Sequence, residues 1–222
     1  MGFVVGIDGP AGSGKGTVTK EISKRLGLIN IDTGSTYRCV ALETINRGIK
    51  LEDKEAIIKV AEEVNIEIEH SNDGDKIFLN GEEVTSRIRE KDVTSIVSPV
   101  SSIVEVRLIM VNLQRKLAEG KDIIMEGRDI CTYVFPNADV KIYLDASEEE
   151  RAKRRFKEMQ EKGIEMTYEE VLDNIQKRDA NDKVKEIGAL KVAEDSIIVD
   201  TTGMSIEEVV EKIIEIINEK RK

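Results

Sequence analysis

The stretch GPAGSGKGT, residues 9–17, constrains the fold of this chain more than any other part of the sequence. Gly9, Gly14 and Lys15 match G-x-x-x-x-G-K, a glycine-rich loop whose backbone N–H groups surround a phosphate. The apolar run FVVGID before the loop predicts a buried strand, and the periodic stretch from Lys15 to Leu26, closed by Gly27, predicts a helix. Because the loop and the start of that helix direct N–H groups at one place, the sequence predicts an anion site that suits phosphate groups.

The loop departs from the usual pattern directly after its lysine. That pattern continues with Ser or Thr, whose hydroxyl binds Mg²⁺, whereas here Gly16 has no hydroxyl and Thr17 stands one position late. Mg²⁺ keeps several waters and is often held by phosphates plus one or two carboxylates, so we expect it to rest mainly on ATP oxygens and waters. Glu126, at the end of a predicted strand, is the first candidate to orient those waters, and Asp8 is the second. Thr17 is expected to donate to a phosphate.

The form GxGKGT is more similar to the loop of nucleoside monophosphate kinases than to that of GTPases. A GTPase would also carry an Asn-Lys-x-Asp guanine reader, which the sequence lacks, and DTTG at 200–203 is interpreted as a strand-to-helix turn. The predicted ATP-binding residues are Gly9, Pro10, Ala11, Gly12, Ser13, Gly14, Lys15, Gly16 and Thr17.

Apolar runs and turn signals predict the rest of the fold. LINID, DIIME, VKIYLD and SIIVD predict four more strands, and five strands separated by helices favour a parallel α/β sheet. Alternation in NIEIEH and KIFLN, which SNDGD separates, and the turn signal Asn80–Gly81 predict a small antiparallel insert over about 65–92. A long helix is expected from Pro99 to about Glu119.

Helix starts and one helix face can also be read from the sequence. Ser147, Thr167 and Ser205 each stand three residues before a glutamate, as in a capping box. The last helix is expected to bury one face, whose members are Ile206, Val209, Val210, Ile213, Ile214 and Ile217.

Charge and composition restrict the partners. Among 222 residues, 34 Lys and Arg against 44 Asp and Glu give a net charge of −10, which disfavours nucleic acid and anionic membranes as partners. No apolar run is long enough to span a bilayer, and MGFVVG lacks the basic flank of a signal peptide. Cys39 and Cys131 form no CxxC, so we expect a reduced, cytoplasmic protein, and we expect it to be a monomer.

Two further strand ends carry polar groups that suit a nucleotide. DTGSTYR, residues 32–38, leads from a strand into a helix, where Arg38 could pair with a second phosphate and Tyr37 could contact a phosphate or a base. EGRDICT, residues 126–132, also follows a strand. There Asp129 could accept from the exocyclic amine of cytosine and Arg128 could donate to ring acceptors. This pattern alone leaves cytosine and adenine open.

The chain resembles bacterial-type cytidylate kinases, P-loop nucleoside monophosphate kinases, over essentially its full length. Four ordered stretches carry the resemblance: GPAGSGKGT, DTGSTYR, GRDICTYVFP and RDANDKVKEIGALK. The resemblance implies a P-loop kinase fold with a five-stranded parallel sheet flanked by helices. It implies a single domain over 1–222, with a monophosphate-binding antiparallel insert at 65–92 and a helical lid at 148–190.

The resemblance also implies the roles of individual residues. Lys15, Arg128, Asp129 and Arg178 would be catalytic. The residues expected to bind CMP are Thr33, Tyr37, Arg38, Ser98, Arg107, Arg128, Asp129, Arg178 and Asp182. Ser98 and Asp129 would read cytosine, and Asp182 the sugar hydroxyls. From the residues alone, Arg107 would be expected on a solvated helix face.

The implied reaction is ATP + CMP ⇌ ADP + CDP, with dCMP as a second acceptor and Mg²⁺ bound with ATP. The acceptor phosphate has a second pKa of about 6, so it is already a nucleophile and needs no general base. His70, the only histidine, lies in the predicted insert and is expected at the surface. Catalysis is therefore expected to be positioning and charge neutralisation. Arg151, Arg154 and Arg155 either add to that charge or form salt bridges on a solvated helix.

Four positions depart from the family pattern. Lys185 stands where the family usually has Arg, and a lysine is a point charge without a bidentate fork, so a looser lid contact is expected. Ala189 replaces a usual Pro, Cys131 a usual Gly, and Glu126 a usual Asp.

Three alternatives stay open. The acceptor could be UMP or AMP. A small-molecule hydroxyl kinase would need a positioned base and would leave the insert unexplained. A P-loop binding protein without phosphotransfer would have no use for the full set of arginines.

Overall fold

The computed structural model describes residues 2–70, 75–161 and 163–221. The chain forms two compact units, one made of Met1–Ile31 with Lys121–Lys222 and the other of Asp32–Gly120. We call them the first and the second unit. The α-helices and strands of the described residues are β1 (Val4–Asp8), α1 (Lys15–Leu26), β2 (Ile29–Asp32), α2 (Thr33–Asn46), α3 (Lys54–Glu63), β3 (Ile66–Glu69), β4 (Lys76–Leu79), β5 (Glu82–Glu83), α4 (Lys91–Ser101), α5 (Val104–Ala118), β6 (Ile123–Gly127), β7 (Val140–Asp145), α6 (Glu148–Glu161), α7 (Tyr168–Lys183), β8 (Ile197–Asp200) and α8 (Ile206–Lys220).

A five-stranded sheet in the order β2-β6-β1-β7-β8 organises the first unit. β1 pairs in parallel with β6, Val4 facing Ile123, and with β7, Val5 facing Val140. All five residues of β1 are buried, because helices cover both faces of a parallel sheet and leave no polar side. The five predicted strands and the parallel α/β class are confirmed.

Helices α1 and α8 supply apolar side chains to the core of this sheet. Val18 and Ile22 of α1 join Val5 and Ile7 of β1 in one buried cluster. The residues of α8 in that cluster are Val209, Val210, Ile213 and Ile217, with Ile214 partly buried against it. The predicted face of α8 is therefore correct except at Ile206. That residue is 56% exposed because it is the first residue of α8, at the end of the helix.

A three-stranded antiparallel sheet, in the order β3-β4-β5, lies in the second unit. Ile66 faces Leu79 across β3 and β4. Asn80 and Gly81 have positive φ angles of 52° and 85°. They are the two central residues of a tight hairpin turn, which requires this left-handed conformation at both positions. The predicted antiparallel segment and its Asn-Gly turn are confirmed, with strands over 66–83. The predicted SNDGD connection lies mostly at 71–74, outside the described residues.

The helical part of the second unit differs from the prediction. Pro99 does not precede a long helix but lies inside α4, which ends two residues later at Ser101, and α5 begins at Val104. The axes of α4 and α5 differ by 102°. Val93, Val97 and Val100 give α4 a buried stripe, and this packing outweighs the one backbone hydrogen bond that proline removes.

Two of the three predicted capping boxes are complete. Thr167 and Ser205 each accept from the backbone N–H three residues on, and the glutamate there accepts from the N-cap N–H. At Ser147 only the first bond forms, because the Ser147 N–H donates instead to Thr202 Oγ1.

In the described part of the chain, no single helix is long and apolar enough to cross a membrane, and α4 with α5 meets the length and composition criteria only as a bent pair.

Candidate functional site

The glycine-rich loop joins the end of β1 to the start of α1, as the sequence predicts. Gly12 and Gly14 have φ angles of 76° and 89°, in the left-handed region that favours glycine. A Cβ on Gly9 would collide with the carbonyl oxygen of Leu144. Gly14 is the N-cap of α1 and has no side chain that could accept from the first-turn N–H groups. The N-cap residue of α1 therefore supplies no side chain that would compete with an anion for these N–H groups, an arrangement that suits a phosphate.

Lys15 is folded against the loop that precedes it. Its Nζ donates to the carbonyl oxygens of Gly9 and Pro10, both at 2.8 Å, and to Ser13 Oγ at 3.1 Å. Burial, and next the positive charge of Arg128, hold the pKa of Lys15 well below its usual value, while the charge of Glu126 acts in the opposite direction. A phosphate group here would compensate the buried positive charges.

Glu126, at the end of β6, contacts the position where the usual loop has Ser or Thr. A Cβ built on Gly16 would stand 2.9 Å from Glu126 Oε1, closer than Cβ atoms approach other atoms. A side chain at this position would therefore displace the carboxylate beside it. The position that lacks the usual hydroxyl thus lies beside a carboxylate, and carboxylate oxygens are among the ligands that Mg²⁺ accepts.

Asp8, the second carboxylate predicted to lie beside the metal, bonds the backbone that follows β6. Its two carboxylate oxygens accept from the backbone N–H groups of Ile130 and Cys131, each at 2.8 Å. These bonds cap a π-helical turn over Ile130–Val134. Burial raises the pKa of Asp8 to about 6, although the two backbone hydrogen bonds act to lower it. Each oxygen of Asp8 thus already accepts one backbone hydrogen bond, and its role beside the metal stays a prediction.

Arg128 and Lys185 form a partly buried ion-pair network around the buried Asp182. Arg128 Nε donates to Asp182 Oδ2 at 3.0 Å, and Lys185 Nζ lies 2.9 Å from Asp182 Oδ1. Burial would raise the pKa of Asp182, but the charges of Arg128 and Lys185 outweigh it and lower the pKa to about 2. Arg178 contributes to the same field. Lys185 therefore contacts one carboxylate oxygen as a point charge, and its side chain is only 6% exposed.

The predicted second phosphate site lies in the second unit, at the start of α2. Thr33 is its first residue and is buried. Arg38 donates to the Ile88 carbonyl oxygen at 3.0 Å and to Thr94 Oγ1 at 2.8 Å, which fixes its guanidinium. Asp32, the N-cap residue, makes no side-chain capping bond and instead pairs with Arg89 at 3.2 Å.

Arg107 is buried at 3% exposure, so the expectation of a solvated helix face is wrong. Its guanidinium donates to the Ser101 carbonyl oxygen at 3.2 Å and lies 5.3 Å from the centre of the Tyr37 ring. The signal was present in the sequence, because Arg107, Val111 and Gln114 follow helical spacing on the buried face of α5.

Sequence reasoning also missed Gln114, which donates to Thr36 Oγ1 at 3.0 Å; Thr36 in turn donates to the Thr33 carbonyl oxygen. Gln114 is fully buried, and this chain of bonds fixes the first turn of α2. Ser98 is partly exposed on α4, and its carbonyl oxygen accepts from the hydroxyls of Ser101 and Ser102.

The arginines of α6 fall into two groups. Arg154 and Arg155 pair with Glu150 and Glu158 on the same helix, as salt-bridge spacing predicts. Arg151 fits neither expectation, since it is 4% exposed and pairs with a residue of α7 rather than facing solvent. His70, next to Asp75, is exposed as predicted.

The predicted site residues thus divide between the units. The first unit carries the loop Gly9–Thr17 with Glu126, Arg128, Asp129, Arg178 and Asp182, and the second carries Thr33, Tyr37, Arg38, Ser98 and Arg107. Over residues 2–70, 75–161 and 163–221, no three His, Cys, Asp or Glu side chains form a group that could hold a metal.

Comparisons with known proteins support the resemblance. A family model described as cytidylate kinase matches residues 5–219. A cytidylate kinase from Caldicellulosiruptor saccharolyticus is 47% identical over 212 residues, 96% of this chain and 94% of its own length. One from Caldanaerobacter subterraneus subsp. tengcongensis is 47% identical over 218 residues, 98% of this chain and 96% of its own length. A solved structure from Eubacterium ventriosum, of an uncharacterised protein 13% identical to this one, covers 99% of both chains at a TM-score of 0.55, a likeness of fold alone. The chain belongs to the cytidylate kinase family.

Proposed function

We propose that the protein transfers the γ-phosphoryl group of ATP to CMP and dCMP, giving ADP and CDP or dCDP. The observation that carries this proposal is the 47% identity, over 96% of the chain, to a relative named cytidylate kinase. The glycine-rich loop and its buried Lys15 support the same function, since both suit a nucleoside triphosphate.

The donor side of the reaction is assigned to the first unit. The loop Gly9–Thr17 binds the phosphates of ATP through backbone N–H groups and the N-terminus of α1. Lys15 exchanges its bonds to the loop carbonyls for bonds to phosphate oxygens, because an anion restores the charge balance that Arg128 and burial disturb. Arg178 adds a further positive charge to this side.

The residues beside Gly16 fit a magnesium ion bound with ATP. A carboxylate is the hard oxygen ligand that Mg²⁺ accepts, and Glu126 is the carboxylate next to the loop. Glu126 would hold the ion through water, while ATP oxygens supply the other ligands. When bound, the ion neutralises charge on the phosphates.

The acceptor side is assigned to Thr33, Tyr37, Arg38 and Arg107 of the second unit. Arg38 is held by two hydrogen bonds and Arg107 is buried beside Tyr37, so both guanidinium groups are pre-oriented for the monophosphate. For the base, Ser98 is assigned to a contact with cytosine. Asp129 is assigned separately to accept from its exocyclic amine, and Asp182 to bind the sugar hydroxyls.

The chemistry needs no general base. The monophosphate is largely deprotonated near neutral pH because its second pKa is about 6. The protein therefore contributes positioning and neutralisation of the charge on the transferring group, through Lys15, Arg128 and Arg178. Residues 148–190 would act as a helical lid that excludes water and suppresses ATP hydrolysis.

The test is ADP release from Mg·ATP with CMP, dCMP, UMP, AMP and GMP as acceptors. We expect strong activity with CMP and dCMP and little with the others. Activity led by UMP or AMP would leave the donor assignments intact and remove the cytosine-reading role of Ser98 and Asp129. No acceptor-dependent ADP would make the chain a nucleotide-binding protein without transfer.

A pair of serines on α4 sharpens this test. Ser98→Ala is expected to reduce the preference for CMP over UMP by roughly 10-fold, within the range for one base-reading contact. Ser95→Ala is the matched control, because Ser95 is exposed on the same helix and its hydroxyl donates to the Asp92 carbonyl oxygen of that helix. Equal preference in both variants would remove Ser98 from the base site.

We also propose a cytoplasmic monomer without nucleic-acid or membrane partners. The net charge of −10 supports the absence of polyanionic partners. Cys39 and Cys131 are buried and form no disulfide, which suits a reducing compartment. Sedimentation of the purified chain measures the oligomeric state.

A further inference from the structure

Two buried residues of opposite charge hold one peptide unit of the glycine-rich loop. Asp179 Oδ1 accepts from the Ala11 N–H at 2.9 Å, and Arg151 Nη1 donates to the Ala11 carbonyl oxygen at 2.7 Å. Arg151 and Asp179 also bond each other at 2.6 Å. Both polar groups of Ala11 are therefore engaged by a single ion pair, whose members come from α6 and α7.

Gly12, the loop residue after Ala11, also packs closely against α6. A Cβ on Gly12 would stand 3.0 Å from the Arg151 carbonyl oxygen and 3.2 Å from Arg151 Cβ. Gly12 also has a left-handed φ of 76°. The turn at Ala11 and Gly12 is thus fitted against α6, so its backbone cannot change without moving Arg151.

Arg151 is anchored beyond the loop as well. Its Nε donates to the Ala146 carbonyl oxygen at 3.1 Å, just after β7. Arg151 and Asp179 are each 4% exposed. Burying both charges is costly, and a buried ion pair is often no more stabilising than apolar residues of similar size. Stability is therefore a weak reason for charges at these two positions, whereas orientation of a specific peptide requires a donor and an acceptor.

We propose that Arg151 and Asp179 are positioning residues that hold the Ala11–Gly12 turn in the shape in which the following loop N–H groups bind ATP phosphates. The packing of α6 on α7 then sets the affinity for ATP. This inference rests on the proposed use of the loop for ATP. Neither residue contacts the reacting atoms, so the effect is expected in ATP binding and not in CMP binding.

The first experiment compares Asp179→Ala with the unchanged protein. We expect the KM for ATP, and the Kd for Mg·ATP measured by calorimetry without CMP, to rise roughly 10- to 100-fold, the range for losing a hydrogen bond to a charged group. The KM for CMP is expected to stay within about twofold. If Asp179→Ala only reduced the amount of folded protein, the active fraction would fall and both KM values would stay unchanged. That result would overturn the inference.

Conservative variants keep the test valid if alanine disturbs folding. Asp179→Asn keeps an oxygen that can accept from the Ala11 N–H, and Arg151→Lys keeps a charged donor. We expect each to raise the KM for ATP less than Asp179→Ala and Arg151→Met do. Equal effects of the conservative and the non-conservative variants would contradict a role in orienting the Ala11 peptide.

The double variant Arg151→Met/Asp179→Leu separates positioning from stability. Replacing both charges with apolar side chains is expected to keep the melting temperature near that of the unchanged protein. The KM for ATP should nevertheless remain raised, since neither residue can bond the Ala11 peptide. Recovery of ATP affinity in this variant would overturn the inference.

Asp173→Ala is the matched control on α7. Asp173 forms an exposed pair with Lys177 at 2.6 Å and is expected to leave both KM values unchanged. If the unchanged protein itself fails to bind Mg·ATP, the proposed function is wrong. If it binds ATP and Asp179→Ala binds equally well, only the role of the ion pair is wrong.

Discussion

The substitution Gly16→Ala tests the link between the unusual loop and Glu126. Gly16 is the second residue of α1, so alanine can adopt its backbone conformation. A Cβ there would stand 2.9 Å from Glu126 Oε1, which forces the carboxylate to move. The contacted atom is the end of a flexible side chain, so Glu126 is expected to rotate while the fold stays intact.

Gly16→Ala is expected to have two opposing effects on the free energy of unfolding and a separate effect on the activation free energy. Alanine in place of glycine in a helix stabilises by up to about 1 kcal/mol. Moving Glu126 away from its preferred rotamer costs about 0.5–1.5 kcal/mol. The free energy of unfolding is therefore expected to change by less than about 1 kcal/mol. Displacing a group that orients metal-bound water typically costs 10- to 100-fold in activity or metal affinity, which corresponds to about 1.4–2.7 kcal/mol in activation free energy.

The assay measures kcat at saturating ATP and CMP over a range of Mg²⁺ concentrations, together with urea unfolding. We expect kcat to fall roughly 10- to 100-fold and the Mg²⁺ requirement to rise. Lys20→Ala, exposed on the same helix, is the control and should change neither. If Gly16→Ala acts through Glu126, combining it with Glu126→Gln should add little to either single variant. Fully additive losses, or full activity in Gly16→Ala, would refute the reasoning.

Two further predictions concern stability. The pKa of Asp182 is lowered from 3.8 to about 2, so its contribution to stability is fully present above pH 3.8 and is lost as the pH falls through about 2. The loss amounts to about 2 kcal/mol, and urea unfolding of Asp182→Asn over this pH range should lack it. Thr167→Ala removes the side-chain acceptor of the capping box of α7 and is expected to lower the free energy of unfolding by about 1 kcal/mol, which thermal unfolding measures.

The sheet could be predicted from the sequence because its physical signal is local. A strand that helices cover on both faces is a nearly continuous apolar run. β1 and β6 have that form up to their acidic residues Asp8 and Glu126, and β7 is interrupted only by Lys141 before Asp145. The hairpin turn at Asn80–Gly81 was equally clear, since two consecutive residues with positive φ require such types. In contrast, α4 was missed because Pro99 suggested a helix start, although one proline near a helix end removes only one hydrogen bond.

The supporting residues of the site could not be predicted in the same way. Arg151 and Asp179 are separated by 28 positions, and only the packing of α6 on α7 brings their charges to Ala11. A charged residue in a charge-rich helix gives no sign of burial, because the same letters fit a solvated salt bridge. The residues proposed to bind phosphate could be found from short patterns, but the residues that hold those segments in shape depend on tertiary contacts.

Acidic residues are distributed unevenly among the first turns of the helices. Of the eight α-helices in the described part of the chain, six carry an acidic residue in the first turn, and α1 and α2 carry none. A carboxylate in that position stabilises a helix by about 0.3–1 kcal/mol through the helix dipole. In a chain with a net charge of −10, its omission from both proposed phosphate-binding helices has a physical reason. A carboxylate that accepted from these N–H groups would compete with a phosphate. Asp32, the N-cap residue of α2, makes no such capping bond and pairs with Arg89 instead, so in our proposal the ligand supplies the stabilising charge at both helices.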